Sequence, residues 1–243
     1  MRFHRDWSFI RHGSQESATG RSRWLTLALC AALALPFVAG GQAGAAFLAT
    51  GGSTGIASVS TGGVPGNNES DYADLSGDGS RVLFASKATN LYGTVPGGNG
   101  HVFMRDRLDG QTIGVSLSAL GVGSNSGAHE GVISADGRYV AFASAAGNLV
   151  EGTTDEFTDI FVRDTSTGEI TCVSVTSAGA AADEGSWGPS ISADGRYVAF
   201  NSSATNFEAG NPSGNYHVYV HDRDTGETKR ASVSSAGVVG DGD

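Results

Sequence analysis

Cysteine is nearly absent: the 243 residues contain two, Cys30 and Cys172. Cys30 falls in a segment read below as a removable leader, so one thiol remains, which excludes an intrachain disulfide or a thiolate metal cluster. Stability must come from packing. Charge is sparse at 16%, and basic charge is the scarcer sign: after residue 45, 10 basic side chains face 23 acidic ones, a net of -13. A field of that sign repels phosphate backbones and anionic lipid surfaces. No basic stripe with interleaved aromatics overrides it, so nucleic acid is not an expected partner. Helical periodicity of useful length is missing after residue 46, and Gly 37 points the same way, toward an all-β chain.

The chain also lacks an apolar run of the ~20 residues that span a bilayer. Its longest, Trp24 to Val38, follows Arg21 and Arg23 and precedes small residues, which is the pattern of a signal peptide. Ala43-Gly44-Ala45 fits the small-x-small cleavage pattern, so residues 1–45 are read as the leader and 46–55 as a Gly-rich linker. Leu29 stands before Cys30 where a lipoprotein signal needs a small residue. The expectation is a secreted or periplasmic protein with no membrane insertion after cleavage.

What is abundant is self-similarity. Ser76-Gly77-Asp78-Gly79-Ser80-Arg81-Val82-Leu83-Phe84 recurs at Ser134 to Phe142 and at Ser192 to Phe200, a step of 58 residues both times. Val102-Phe103-Met104-Arg105-Asp106 recurs at Ile160 to Asp164 and Val218 to Asp222 with the same step. A third block appears four times, as Ser58-Val59-Ser60, Ser116-Leu117-Ser118, Ser174-Val175-Thr176 and Ser232-Val233-Ser234. Each period divides into four strands. In the middle copy these are Val132 to Ser134, Arg138 to Ser144, Asp159 to Arg163 and Ile170 to Thr176, with Asp136-Gly137 as a two-residue type I′ turn and Thr167-Gly168 as a second turn. The second and third strands are apolar at successive positions, hence buried on both faces, whereas Val173-Ser174-Val175-Thr176 alternates like a half-solvated strand. Inner strands sandwiched between neighbouring sheets and a wetter outer strand are what the blades of a β-propeller require.

The Ser-x-Asp-Gly-x-x-Val-x-Phe block, the aromatic strand ending in Arg-Asp, and the Thr-Gly turn into Val-Ser-Val together resemble the TolB-like, or PD40 (WD40-like), propeller repeat over residues 56–243. The resemblance implies four-stranded antiparallel blades at about 69–118, 127–176 and 185–234, with an orphan strand at 56–60 ahead of them. Asp241-Gly242-Asp243 matches the start of a fourth blade, so the expectation is a partial or open ring, part of a longer propeller, or arcs that close by self-association. The motif carries the fold more than the function, and the leading expectation is a noncatalytic module binding a protein or glycan of the cell envelope. The alternative is a propeller module beside the catalytic domain of a prolyl-oligopeptidase-like or other hydrolase.

Candidate chemistry is thin. Gly51-Gly52-Ser53-Thr54-Gly55 matches the Gly-x-Ser-x-Gly nucleophile elbow, which works only on a strand-to-helix turn that this Gly-rich segment does not offer. Asp74-x-Ser76-x-Asp78-Gly79 opens like a calcium loop, but Ala85 stands where the bidentate Glu belongs. Asp78, Asp136 and Asp194 are read instead as acceptors of backbone N–H groups in their own turns, and Asp106, Asp164 and Asp222 as closing strand ends. Asp155, Glu156 and Asp159 form an acidic patch, yet the copies of Asp159 are His101 and His217. His101, His129, His217 and His221 lack zinc-ligand spacing and are read as loop and strand-end residues. No catalytic, cofactor or metal residue is assigned. Trp187, with Tyr72 and His129 at matching positions just before the innermost strand, is the expected ligand-facing rim.

Overall fold

The structure, a computed structural model, describes residues 54–93, 99–153, 157–208 and 215–237. The segment 1–45 expected as a leader and most of the expected linker, with Ser53, Asp155, Glu156 and Asp241 to Asp243, lie outside those residues. The described residues hold twelve strands and no helix. They are β1 (Ser70–Leu75), β2 (Arg81–Ser86), β3 (His101–Asp106), β4 (Thr112–Gly114), β5 (Ala128–Ile133), β6 (Tyr139–Ser144), β7 (Asp159–Asp164), β8 (Ile170–Cys172), β9 (Ser186–Ile191), β10 (Tyr197–Ser202), β11 (His217–Asp222) and β12 (Glu227–Arg230). They pair in sequence order into three four-stranded antiparallel sheets, the blades of a partial, open β-propeller. The first strands β1, β5 and β9 approach one another from blade to blade and so are innermost.

Burial on both faces of the middle strands is what builds the seams. In β6, Val140 and Phe142 pack with Leu83, Val102 and Met104 of blade 1, while Ala141 and Ala143 pack with Val198, Phe200 and Tyr219 of blade 3. Each blade carries one aromatic cross-strand pair in register: Phe84 with Phe103, Phe142 with Phe161, Phe200 with Tyr219, ring centroids 5.9, 5.8 and 6.2 Å apart. Fully burying one such ring is worth about 1.5–3 kcal/mol, more than any single surface contact here contributes.

The Asp-Gly turns differ from the type I′ expectation. Gly79, Gly137 and Gly195 take φ of +67°, +73° and +74°, but the aspartates before them do not enter the left-handed region. Each glycine N–H instead donates to the serine carbonyl three residues back, as Gly137 does to Ser134 at 2.9 Å. The loop is thus four residues long, with Gly closing it. The aspartates behave as expected: Asp136 Oδ1 accepts from Arg138 N–H, Asp194 Oδ1 from Arg196 N–H, and Asp78 Oδ1 from Ser80 N–H, the last holding its carboxyl down at about 2. Across each seam the turns also join: Gly77 N–H donates to Ala135 O at 2.8 Å and Ala135 N–H to Ala193 O at 3.1 Å. Gly195 lies so close beneath the Tyr139 ring that a β-carbon there would meet Cδ2 at 2.1 Å.

The fourth strand is shorter than its sequence pattern suggests. β8 stops at Cys172, and the Ser-Val-Thr block that follows is not ladder. Ser174, fully buried, accepts the Ile160 N–H through Oγ at 3.0 Å and donates to Asp159 Oδ1 at 2.7 Å. Ser116 and Ser232 likewise accept the N–H groups of Val102 and Val218. A hydroxyl replaces the backbone carbonyl and lets the chain leave the sheet. Beyond it the chain folds into a hook closed by one bridge, Leu117 with Gly123 or Val175 with Ala181. The hook caps the outer edge of the next blade: Arg163 Nη1 donates to Leu117 O at 2.7 Å, and Thr228 Oγ1 to Val175 O at 2.6 Å. Residues 56–60, expected as an orphan strand, are such a hook, bridged from Val59 to Pro65 and held on blade 1 by Thr112 and Arg105. Asn90, Asn148 and Asn206 lock the hooks by donating to Pro65, Gly123 and Ala181 carbonyls.

Cys172 packs against the core of the first seam, and burial followed by the nearby Asp159 charge pushes its thiol up to about 12. Since the thiolate is the nucleophile, iodoacetamide at about pH 8 is expected to leave Cys172 unmodified in the native protein and to alkylate it once urea unfolds the chain. Labelling of the native protein at the unfolded rate would show that this seam does not hold.

Candidate functional site

The innermost strands share one irregularity. Between Asp71 and Asp74, between His129 and Val132, and between Trp187 and Ser190, two residues of the first strand oppose one of the second. This is a β-bulge, and its first residue is left-handed in every blade: Tyr72 at φ +49°, Glu130 at +54° and Gly188 at +62°. Glycine adopts this conformation freely, whereas Tyr and Glu hold it at a cost of about 1–2 kcal/mol each. The bulge swings those two side chains toward the following blade.

This placement corrects the expected rim. Trp187 and His129 occupy equivalent positions, paired with Asn201 and Ala143, but their equivalent in blade 1 is Asp71, paired with Ala85. Tyr72 belongs one position on, with Glu130 and Gly188. All of them lie within the innermost strands rather than ahead of them.

Tyr72 and His129 meet across the first seam, ring centroids 6.4 Å apart, at the mouth of a cleft of about 240 Å³. Blade 1 contributes Glu69, Asp71, Tyr72, Ser86 and Lys87, and blade 2 contributes Gly127 to Glu130. Hydrogen bonds fix the two walls: Ala128 N–H donates to Gly100 O at 2.8 Å, and the Ser86 hydroxyl donates to Glu69 O at 2.8 Å. Lys87 Nζ donates to Glu69 Oε1 at 2.5 Å, which holds the Glu69 carboxyl below its ordinary value and raises the lysine. Asp71 is exposed and accepts no hydrogen bond from a described side chain. Glu130 reaches the other way, its Oε2 accepting the Gly188 N–H at 2.9 Å and tying blade 2 to blade 3. Trp187 is outside this cleft, edge-on to Tyr216 at 4.9 Å.

The other candidates disperse. Among the described residues no three His, Cys, Asp or Glu side chains assemble as a metal site. His101 and His217, at the starts of β3 and β11, are buried beside Ser124 and Ser232, and His221, expected at a strand end, is buried within β11 against Thr228 Oγ1 at 2.9 Å. Asp164 and Asp222 do close strand ends, and each also takes a two-nitrogen contact from Arg138 or Arg196 that holds its carboxyl well below the usual range. Glu69, Asp71, Lys87 and Glu130 escaped sequence reasoning. The one available signal was Gly188 in the column of Tyr72 and Glu130, since a glycine inside a strand marks a bulge.

No family model matches the sequence, and no curated protein matches it. Among solved structures the chain is similar to TolB from Acinetobacter baumannii, with 18% identity, 68% of this chain and 32% of that one covered, and a TM-score of 0.43. It is also similar to a putative TolB from Agrobacterium tumefaciens, with 16% identity, 68% and 49% covered, and a TM-score of 0.43. The tricorn protease shows 15% identity over 63% of this chain and 14% of that one, with a TM-score of 0.41. The chain spans about a third to a half of the length of the two TolB structures.

Proposed function

We propose that this propeller module is exported and noncatalytic, and that it binds a protein or glycan partner of the cell envelope through the face bearing the Tyr72 and His129 cleft. The observation that carries this reading is the cleft itself. Two blades supply its walls, hydrogen bonds fix them, and Tyr72 and His129 line it together with the Glu69 and Asp71 carboxylates. Concave sites with a few oriented polar groups are the usual form of a binding site, and on propellers the loops and inner strand ends decide what enters.

Two measurements test it together. A photo-crosslinking residue at Tyr72, in protein expressed in its own host, is expected to give a discrete adduct, while the same residue at Lys229 on the outer strand gives none. Intact mass of the adduct's protein component is expected to lack residues 1–45. Equal adducts at both positions would remove the binding face from the reading, and recovery at full mass from the cytoplasm would remove export.

A further inference from the structure

We infer that the cleft between blades 1 and 2 receives a single guanidinium group, the side chain of an arginine on a partner peptide, with Asp71 and Tyr72 as its principal contacts. This deepens the binding reading above and rests on it. At about 240 Å³ the cleft lies below the roughly 300–1,000 Å³ typical of sites for whole small molecules, so its size suits one side chain. Its charge selects which. Two carboxylates, Glu69 and Asp71, face one ammonium, which pairs with Glu69 and also feels the Asp71 charge, while Glu130, though in the lining, is turned to the Gly188 N–H. An anion would meet one negative charge in excess, and an apolar side chain would bury Asp71 without compensation.

The remaining features favour a planar cation over a point charge. Tyr72 is 54% exposed and lines the cleft with Asp71, which accepts no hydrogen bond from a described side chain. Guanidinium both stacks on an aromatic ring and binds a carboxylate through two nitrogens, which an ammonium does not. The protein already makes this arrangement within its own blades: Arg138 lies 4.8 Å from the Tyr139 ring while holding Asp164, and Arg196 lies 4.9 Å from Tyr197 while holding Asp222. The cleft presents the aromatic and the acid without the arginine. The net charge of the blades draws such a peptide in, and salt screens that attraction.

The test is calorimetric titration of the whole protein with a capped Gly-Gly-Arg-Gly-Gly peptide and its citrulline and lysine counterparts. Citrulline keeps the shape and loses the charge. The arginine peptide is expected to bind, the lysine peptide several-fold more weakly, and the citrulline peptide at least about tenfold more weakly. Asp71→Asn, at an exposed position, is expected to reproduce the tenfold loss with unchanged thermal unfolding, and Tyr72→Leu a loss of roughly threefold. Citrulline binding as tightly as arginine would overturn the cationic assignment while leaving the binding module intact. No binding of the arginine peptide would also overturn it, and the crosslink at Tyr72 would then decide separately whether this face binds anything.

Discussion

Gly195→Ala is expected to destabilise the protein by roughly 3 kcal/mol. Two independent costs meet at this position. The left-handed φ of +74° costs a residue with a β-carbon about 1–2 kcal/mol. The new methyl would also overlap the Tyr139 ring, and overpacking of that kind adds about 1–3 kcal/mol. Gly179→Ala separates them, because Gly179 has φ +81° with nothing within 4 Å of its would-be β-carbon, so only the conformational cost, about 1 kcal/mol, should appear. Urea unfolding of both variants, of Tyr139→Ala, and of Gly195→Ala combined with Tyr139→Ala, gives the coupling by a double-mutant cycle. If the two alanine variants lose the same stability, the contact across the second seam is not as close as described.

Ser174→Ala is expected to cost a similar amount, about 3 kcal/mol, although it deletes one oxygen atom. The hydroxyl serves two buried groups at once, the Ile160 N–H and the Asp159 carboxylate, and each left without its partner costs about 1–3 kcal/mol. The loss should depend on pH. Burial raises the Asp159 pKa above its ordinary value and the Ser174 hydrogen bond opposes that, so the substitution raises it further. A carboxyl whose folded pKa exceeds its unfolded value contributes stability that is fully present below the unfolded value and lost as pH rises through the folded one. The penalty of Ser174→Ala should therefore be larger at pH 7 than near pH 2, where Asp159 is protonated in both states. A penalty independent of pH would mean that Asp159 does not depend on this hydroxyl.

The two variants also mark where the sequence is legible and where it is not. The 58-residue step reveals the sheets, because a repeat that recurs without insertion forces each copy into the same strands. Successive apolar residues such as Tyr139 to Ala143 show that those strands are covered on both sides. Ser174 is another matter. Alternation of Val173, Ser174, Val175 and Thr176 reads as a strand with one wet face, yet Val173 and Ser174 are both buried, because a serine hydroxyl standing in for a ladder carbonyl leaves no periodic trace. The bulge was hidden for a related reason. It adds one residue to the same strand of every blade, so the period is unchanged, and Tyr72 is easily aligned one position off with His129 and Trp187. The place of Tyr72 in the cleft follows from that single residue, as does the turning of Glu130 toward blade 3.

The turn-to-turn hydrogen bonds from Gly77 to Ala135 and from Ala135 to Ala193 join groups separated by one repeat. This determines which length changes a gene of this kind can tolerate. An unequal crossover that adds or deletes a whole blade sets the same donors against the same acceptors, and the new junction resembles the old ones. A shorter insertion between Ser76 and Ser192 that alters the turns has no such register to fall into. Inheritance through recombination is thus channelled toward copies of the unit, and divergence toward substitutions at exposed side chains of single blades.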